Sequence, residues 1–420
     1  MINIEKVIDL INSYIGVSVV EKKLFGEIFT PFQLIDSMLD LFPKDDWSND
    51  QLKYFGPASG CGNFQIKIVQ RLMEGLKEKY PDEELRYKHI IEEQIYVNEY
   101  QSKNLFIYLM LFDPNNEYKM NYNRGDFLTF DFEKTWKCKP NRIIENPPYQ
   151  TSQIGNRKTQ PLWHIFAEKS ISILEENGYL VMVHPSGWRN VDGAFKKTQK
   201  ILTNKEMIFL KMHSFKDGQN TFKAAINFDY YCIKNSVNNN FLTKIICEDN
   251  EEYLIDISKM EFIPSENILE IQNLVAKDGE EKVNILYNRS FYGTDKKNMN
   301  KEKTQEFQYH CVYTVKSPDK GNLPTFWFSN NKIEHFGIPK IIWGNGATGI
   351  MIDENGEYGL TQFCYAIVDD PENFENIKKV MQSEKFIKRI MMFKNSLGDK
   401  YNRKVISTFR KDFWKEFIND

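Results

Sequence analysis

Cysteine is scarce in this chain. The six that occur, at 61, 138, 232, 247, 311 and 364, lie too far apart to suggest a zinc motif or a disulfide framework, and they suit a reducing cytoplasm. No apolar run is long enough to span a membrane, and the polar start Met1-Ile2-Asn3-Ile4-Glu5-Lys6 does not read as a signal peptide. Basic charge is not in excess either: the net charge is −3, so any site for a polyanion must come from a local basic face. Histidine is as rare as cysteine, at six residues, and none stands in a convincing catalytic setting. With 41% hydrophobic and 27% charged residues, the 420-residue chain reads as an ordinary globular protein of two domains.

Aromatics are plentiful, with 31 Phe and 21 Tyr, and they offer both core and stacking surface. The first 43 residues have helical spacing: Ile4, Val7, Ile8, Ile11 and Ile15 in one run, Leu34, Ile35, Met38, Leu39 and Phe42 in another. Between them Thr30-Pro31 reads as a helix start, a hydroxyl N-cap with proline at the first helical position. The short apolar segment Tyr54-Phe55 leads into Gly56-Pro57-Ala58-Ser59-Gly60-Cys61-Gly62-Asn63-Phe64, followed by a helix from Gln65 to Lys79. Small residues between a strand and a helix let a ligand approach the backbone near a helix N-terminus. This turn is not G-x-G-x-x-G and lacks the lysine of a phosphate loop, so it implies neither a dinucleotide nor a triphosphate.

Ile95-Tyr96-Val97-Asn98-Glu99 reads as a second strand ending in a carboxylate, either a ribose ligand or a solvated surface group. A helix from Ser102 to Phe112 follows, then the strand-end loop Asn123-Arg124-Gly125-Asp126-Phe127-Leu128. A fourth strand, Asn141 to Glu145, stops at Asn146-Pro147-Pro148-Tyr149, because two prolines can neither extend a ladder nor enter a helix interior. Alone, the tetrapeptide reads first as a proline turn capping a strand. Its second reading is a receptor for a planar amine: a side-chain oxygen and a proline carbonyl accept the two hydrogens, and an aromatic face stacks. A helix from Leu162 to Leu174 and the buried strand Tyr179–Val183 continue the alternation, followed by strands at Met207–Leu210 and Ala224–Ile233, the latter half-exposed at Asp229. This is the doubly wound α/β pattern. The polar stretch 235–240 reads as a linker, giving domains 1–237 and 238–420. Beyond it come short β-like pieces at Leu242–Cys247, Ile285–Tyr292, Phe307–Val315 and Lys340–Trp343, and then a helical end. From Lys378 to Asp420, Lys and Arg outnumber Asp and Glu by more than two to one.

Thr30-Pro31, the Pro57–Phe64 turn, Glu99, Gly125-Asp126-Phe127 and Asn146-Pro147-Pro148-Tyr149 occur in that order. Over roughly residues 20 to 235 the chain resembles the adenine-specific amino-methylating DNA methyltransferases, in the order that opens with the Thr-Pro motif and closes with a target-recognition domain. The resemblance implies a Rossmann-like, mostly parallel sheet of the class I methyltransferase kind, a C-terminal mixed α+β recognition domain, S-adenosyl-L-methionine as cofactor and double-stranded DNA as partner. It implies that Thr30, Pro57, Ala58, Ser59, Gly60 and Gly62 hold the cofactor's methionine end and sugar. Glu99 would take the ribose hydroxyls, and Asp126 and Phe127 the adenine. Asn146, Pro147 and Pro148 would receive the target amine, with Tyr149 and an aromatic from a later loop, Phe215 or else Phe222, on the flipped base. No metal is required. One position departs from the pattern: the glycine motif usually opens with an acidic or amide residue, and here that residue is Gly56. Basic residues such as Lys388, Arg389, Lys394, Arg403, Lys404, Arg410 and Lys411 are candidates for phosphate contacts or for a solvated helical face.

The same tetrapeptide marks methyltransferases of a glutamine side chain in translation release factors and of RNA. The long stretch after Asn240 favours a large substrate. A non-catalytic DNA-binding modification subunit is the alternative from another class. A fused nuclease is not expected, so a cognate restriction endonuclease would be a separate chain in the cytoplasm of a bacterium or a phage-infected cell.

Overall fold

Strand and helix segments alternate between Tyr54 and Pro185, and they build one sheet. The structure is a computed structural model that describes residues 30–151, 159–191, 193–345, 349–391 and 401–418. The chain divides into two units, Met1–Met260 and Glu261–Asp420. The expected helix at Ile4–Ile15 lies outside the described residues.

In the first unit β1 (Tyr54–Gly56), β2 (Ile95–Glu99), β3 (Asn121–Arg124), β4 (Arg142–Glu145) and β5 (Tyr179–Pro185) pair in parallel. β6 (Lys205–His213) and β7 (Phe228–Val237) turn antiparallel, and β8 (Thr243–Ile246) and β9 (Glu252–Ile255) complete the sheet. The order is β3-β2-β1-β4-β5-β7-β6-β8-β9. Helices α1 (Phe32–Leu39), α2 (Asn63–Gly75), α3 (Glu83–His89), α4 (Ser102–Phe112), α5 (Phe132–Trp136), α6 (Trp163–Ile173), α7 (Lys196–Thr203) and α8 (Phe215–Phe222) connect the strands. This is the doubly wound, mostly parallel fold of class I methyltransferases. β1, β2 and β4 are buried throughout, as strands covered on both faces must be. Their side chains join α1 and α2 in a core that includes Ile35, Leu72, Val97, Ile144 and Val181.

Two buried ion pairs brace this sheet. Arg142 on β4 grips Asp46 through Nε–Oδ2 at 2.5 Å and Nη2–Oδ1 at 2.6 Å. Arg189 Nε donates to Asp229 Oδ2 at 2.8 Å, and Trp188 Nε1 donates to the same oxygen at 2.9 Å. Asp229 is therefore fully buried and β7 is central, where the sequence suggested a half-exposed strand. Burial raises the Asp229 carboxyl against the pull of the guanidinium.

The polar stretch at 235–240 is not a linker. Asn235 to Val237 finish β7, and the Asn235 amide donates to the Leu174 carbonyl at 2.9 Å and the Glu175 carbonyl at 3.1 Å. β8 then pairs in parallel with β6, so the first unit runs to Met260 and the boundary falls beyond the expected 237. The expected N-cap also differs. Pro31 occupies the N-cap of α1 with no side-chain cap bond, and Thr30 is employed elsewhere.

The second unit contains two four-stranded sheets. β10 (Asn284–Leu286), β17 (Cys364–Val368), β14 (Lys340–Gly344) and β15 (Ile350–Asp353) form one, in that order, all antiparallel. β11 (Met299–Asn300), β13 (Pro324–Ser329), β12 (Tyr309–Val315) and β16 (Gly359–Leu360) form the other, with β12 and β16 parallel. Where the sequence suggested a strand over Ile285–Tyr292, only β10 forms, and Arg289–Tyr292 is a short helix. Residues 344–349 spell G-x-G-x-x-G, but they join two antiparallel strands rather than a strand to a helix. At the centre Lys340 is fully buried. Its ammonium donates to the carbonyls of His335 (2.9 Å) and Ile338 (3.0 Å) and to Asp353 Oδ2 (2.6 Å). Among the described residues no helix is long and apolar enough to cross a membrane.

Candidate active site

The loops at the carboxyl ends of β1, β2, β3 and β4 meet around a cavity of about 370 Å³. In an open parallel sheet this edge is where ligands sit. The first loop is a turn that only glycine allows at Gly62. There φ is +96°, and a Cβ would fall 2.8 Å from the Tyr108 ring. Gly60 is also left-handed, at φ +56°, and a Cβ there would meet open space. The turn is pinned to β2: Ser59 N donates to the Asn98 carbonyl at 3.1 Å, and Gly60 N to Glu99 Oε2 at 2.8 Å. The other Glu99 oxygen accepts from Gln101 N at 2.7 Å.

Asn98 ties three loops together. Its side-chain nitrogen donates to the carbonyls of Pro57 (3.0 Å) and Gly125 (3.1 Å), and its oxygen accepts from the Asn123 amide at 2.7 Å. Beyond Gly125, Asp126 Oδ1 accepts from Leu128 N at 2.9 Å, which shapes the loop as an Asx turn. Lys169 on α6 holds that loop from behind. Its ammonium donates to the Phe127 carbonyl at 2.5 Å and the Phe130 carbonyl at 2.6 Å, 5.0 Å from the Phe127 ring centre. Burial lowers its pKa from the usual lysine value.

β4 delivers the fourth loop. Asn146 Nδ2 donates to Thr30 Oγ1 at 3.1 Å, which orients the amide and employs the hydroxyl expected to cap α1. Behind it Glu145 is fully buried and accepts from Ser170 Oγ at 2.7 Å; burial raises its carboxyl pKa to about 8. Tyr149 follows, 7% exposed, its hydroxyl buried without a hydrogen-bond partner.

Of the residues expected to act, Thr30, Pro57, Ala58, Ser59, Gly60, Glu99, Asp126, Phe127, Asn146, Pro147 and Pro148 line this one cavity. Gly62, Tyr149 and Phe215 are not in its wall. Gly62 supports the turn from below. Phe215 is the half-buried first residue of α8, set there by a Ser214–Asp217 capping box. Phe222, at the other end of α8, meets the Tyr149 ring edge-on at 6.5 Å. Sequence reasoning missed Asn98, Asn63, Asn104 and Lys169. For Asn98 a signal existed: a lone amide inside an otherwise apolar strand needs buried partners. At Gly56 a Cβ would fall 2.3 Å from Gln65 Nε2, so the amide of Gln65 fills the space a side chain at 56 would need.

Comparison with known proteins agrees with this geometry. The family model of the Eco57I restriction-modification methylases matches residues 44–222. Over 73 residues the chain is 42% identical to an uncharacterized adenine-specific methylase of Mycoplasma pneumoniae, which is 17% of either protein. Over 163 residues it is 31% identical to the type II restriction enzyme and methyltransferase RM.BcgI of Heyndrickxia coagulans, 38% of this chain and 24% of that one. The match thus spans less than a quarter of either curated relative's length. Among solved structures, the type IIL restriction-modification enzyme MmeI in complex with DNA superposes with a TM-score of 0.52 at 13% identity. The match covers 87% of this chain and 65% of that one, a likeness of fold.

Proposed function

We propose, from the premise that residues 44–222 carry a domain of the Eco57I restriction-modification methylase family, that this protein methylates the exocyclic amine of adenine in double-stranded DNA, with S-adenosyl-L-methionine as donor. The observation that carries the reading is the Asn146 amide, oriented by Thr30 over the same cavity that holds Glu99 and Asp126.

The donor fits the residues present. Two carboxylates, an uncrowded glycine backbone and the aromatic Phe127 stand in one wall, which suits a net-positive molecule with a ribose and a purine. Glu99 would hold the ribose hydroxyls, Asp126 the purine amine and Phe127 the ring, while Thr30 and the turn from Pro57 to Gly62 would hold the rest. Bound there, the donor supplies a methyl group already activated by its sulfonium.

The chain's own contribution is to make a poor nucleophile better. The lone pair of an adenine amine is delocalised into its ring. Asn146 Oδ1 and the Pro147 carbonyl accept its two hydrogens and favour the pyramidal nitrogen of the transition state. The base must leave the duplex to reach them, and Tyr149 would stack on it, with Phe222 or Phe215 beside it. The unit from Glu261 onward would carry target recognition. A restriction endonuclease of the same site would be its companion in the cell, in a bacterial cytoplasm.

The basic run near the C-terminus contributes less than its composition suggests. Lys388 pairs with Glu384, Arg410 with Glu416, and Lys411 with Glu281 and Asp370. Arg403 lies 4.2 Å over the Tyr287 ring. Lys394 and the side chain of Arg389 lie outside the described residues.

The test is transfer of labelled methyl from S-adenosylmethionine to unmethylated genomic DNA. Asn146→Ala should lower the rate by about a hundredfold or more, the effect of removing one preorganised group at a reacting centre. Label that enters RNA or protein instead of DNA overturns the substrate assignment.

A further inference from the structure

We infer that Asn63 is a cofactor-binding residue that receives the charged amino-acid end of the donor. The inference rests on the cavity reading above and assigns a group that neither the motifs nor the comparisons single out.

Asn63 is the first residue of α2, a thirteen-residue helix. The N-cap, Gly62, has no side chain to satisfy the first amides, and the first turn carries no acid. The opening N–H groups of a helix have no partner within it, and the helix dipole adds partial positive charge there. Both Asn63 and Phe64 line the cavity, so this uncapped end is presented to it. Asn63 itself is 8% exposed, and its Oδ1 is buried with no hydrogen-bond partner. A buried amide oxygen left unmet is destabilising unless a ligand meets it.

The chemistry on either side narrows the ligand group. The Asp126 and Glu99 end of the wall is committed to purine and ribose. What remains of the donor is a carboxylate and an ammonium on one carbon. The uncapped helix suits the carboxylate, and the Asn63 amide offers an acceptor to the ammonium and donors to the carboxylate.

Two ligands separate this role from simple support of the turn. S-adenosylhomocysteine carries the amino-acid end; 5′-methylthioadenosine has the same purine, ribose and sulfur without it. Calorimetry on the full chain should show Asn63→Leu weakening S-adenosylhomocysteine about tenfold or more, the scale of a hydrogen bond to a charged group, with methylthioadenosine unchanged. Retained methylthioadenosine binding also reports an intact cavity, and Asn63→Ala supplies the same comparison should the leucine variant not fold. Equal loss of both ligands, or no loss of either, overturns the role of Asn63. A wild-type chain that binds neither ligand overturns the cavity reading, and this inference with it.

Discussion

The two units differ in how their strands find partners. In the first, β1, β2, β4 and β5 are short and buried, and each is followed by a helix or a loop that returns the chain to the same sheet. In the second, β10 pairs with β17 and β12 with β16, partners far apart in the chain, and β13 is half-exposed along nearly its whole length. A strand covered on both faces announces itself as an apolar run; a half-covered strand with a distant partner does not. Chemistry concentrates in the first kind of region, because its loops converge on one edge.

The sharpest way to break this contrast is to cut the buried ion pair in each unit. Arg189→Met strands Asp229, and Lys340→Met strands Asp353, each at about 3–5 kcal/mol, the usual cost of an uncompensated buried charge. Calorimetric unfolding should show the Lys340 variant losing one transition while S-adenosylhomocysteine still binds. The Arg189 variant should lose binding. Loss of ligand binding in both would mean that the units do not unfold separately.

Next in size is Asn98→Leu, which removes the amide shared by Pro57, Gly125 and Asn123. Loosening two loops at once should weaken S-adenosylhomocysteine by about tenfold in a titration, since each buried partner left unmet costs about 1–3 kcal/mol. Unchanged affinity would show that the loops hold without it.

Glu145 gives a pH signature. Its carboxyl is held at about 8 in the folded chain against an ordinary value of 4.5, so the folded state keeps a proton that the unfolded state releases. Its contribution is greatest below pH 4.5 and is lost as pH rises toward 8. Glu145→Gln does not titrate, so its Tm should gain on that of the wild type across this window and hold the gain above it. A constant difference across the window would contradict the assignment. The smallest effect belongs to Lys411→Ala, within about 0.5 kcal/mol of wild type, with the salt slope of DNA binding unaltered because Glu281 and Asp370 already engage that ammonium.

Much of the first unit could be read in advance. Ile95–Glu99 and Ser102–Phe112 form the elements their patterns indicated, because alternation and helical period agree there with burial. The strand-end positions of Glu99, Asp126 and Asn146 were visible as places where a run stops at a polar residue. Contacts across the chain were not visible. Thr30 had a good local explanation as an N-cap, yet its hydroxyl meets Asn146, 116 positions away. The asparagines after Lys234 had the composition of a linker, yet Asn235 bonds to backbone near residue 175. Local rules rank what a residue prefers by itself, and tertiary partners outbid them.

The hairpin of β8 and β9 has a practical consequence for expression. A fragment ended at Val237, where composition invites the cut, would leave the nine-residue β6 with one bare edge, its amides and carbonyls free to recruit the same strand of another molecule. Ending it at Met260 keeps that edge covered, and should make the difference between a soluble methyltransferase domain and an aggregate.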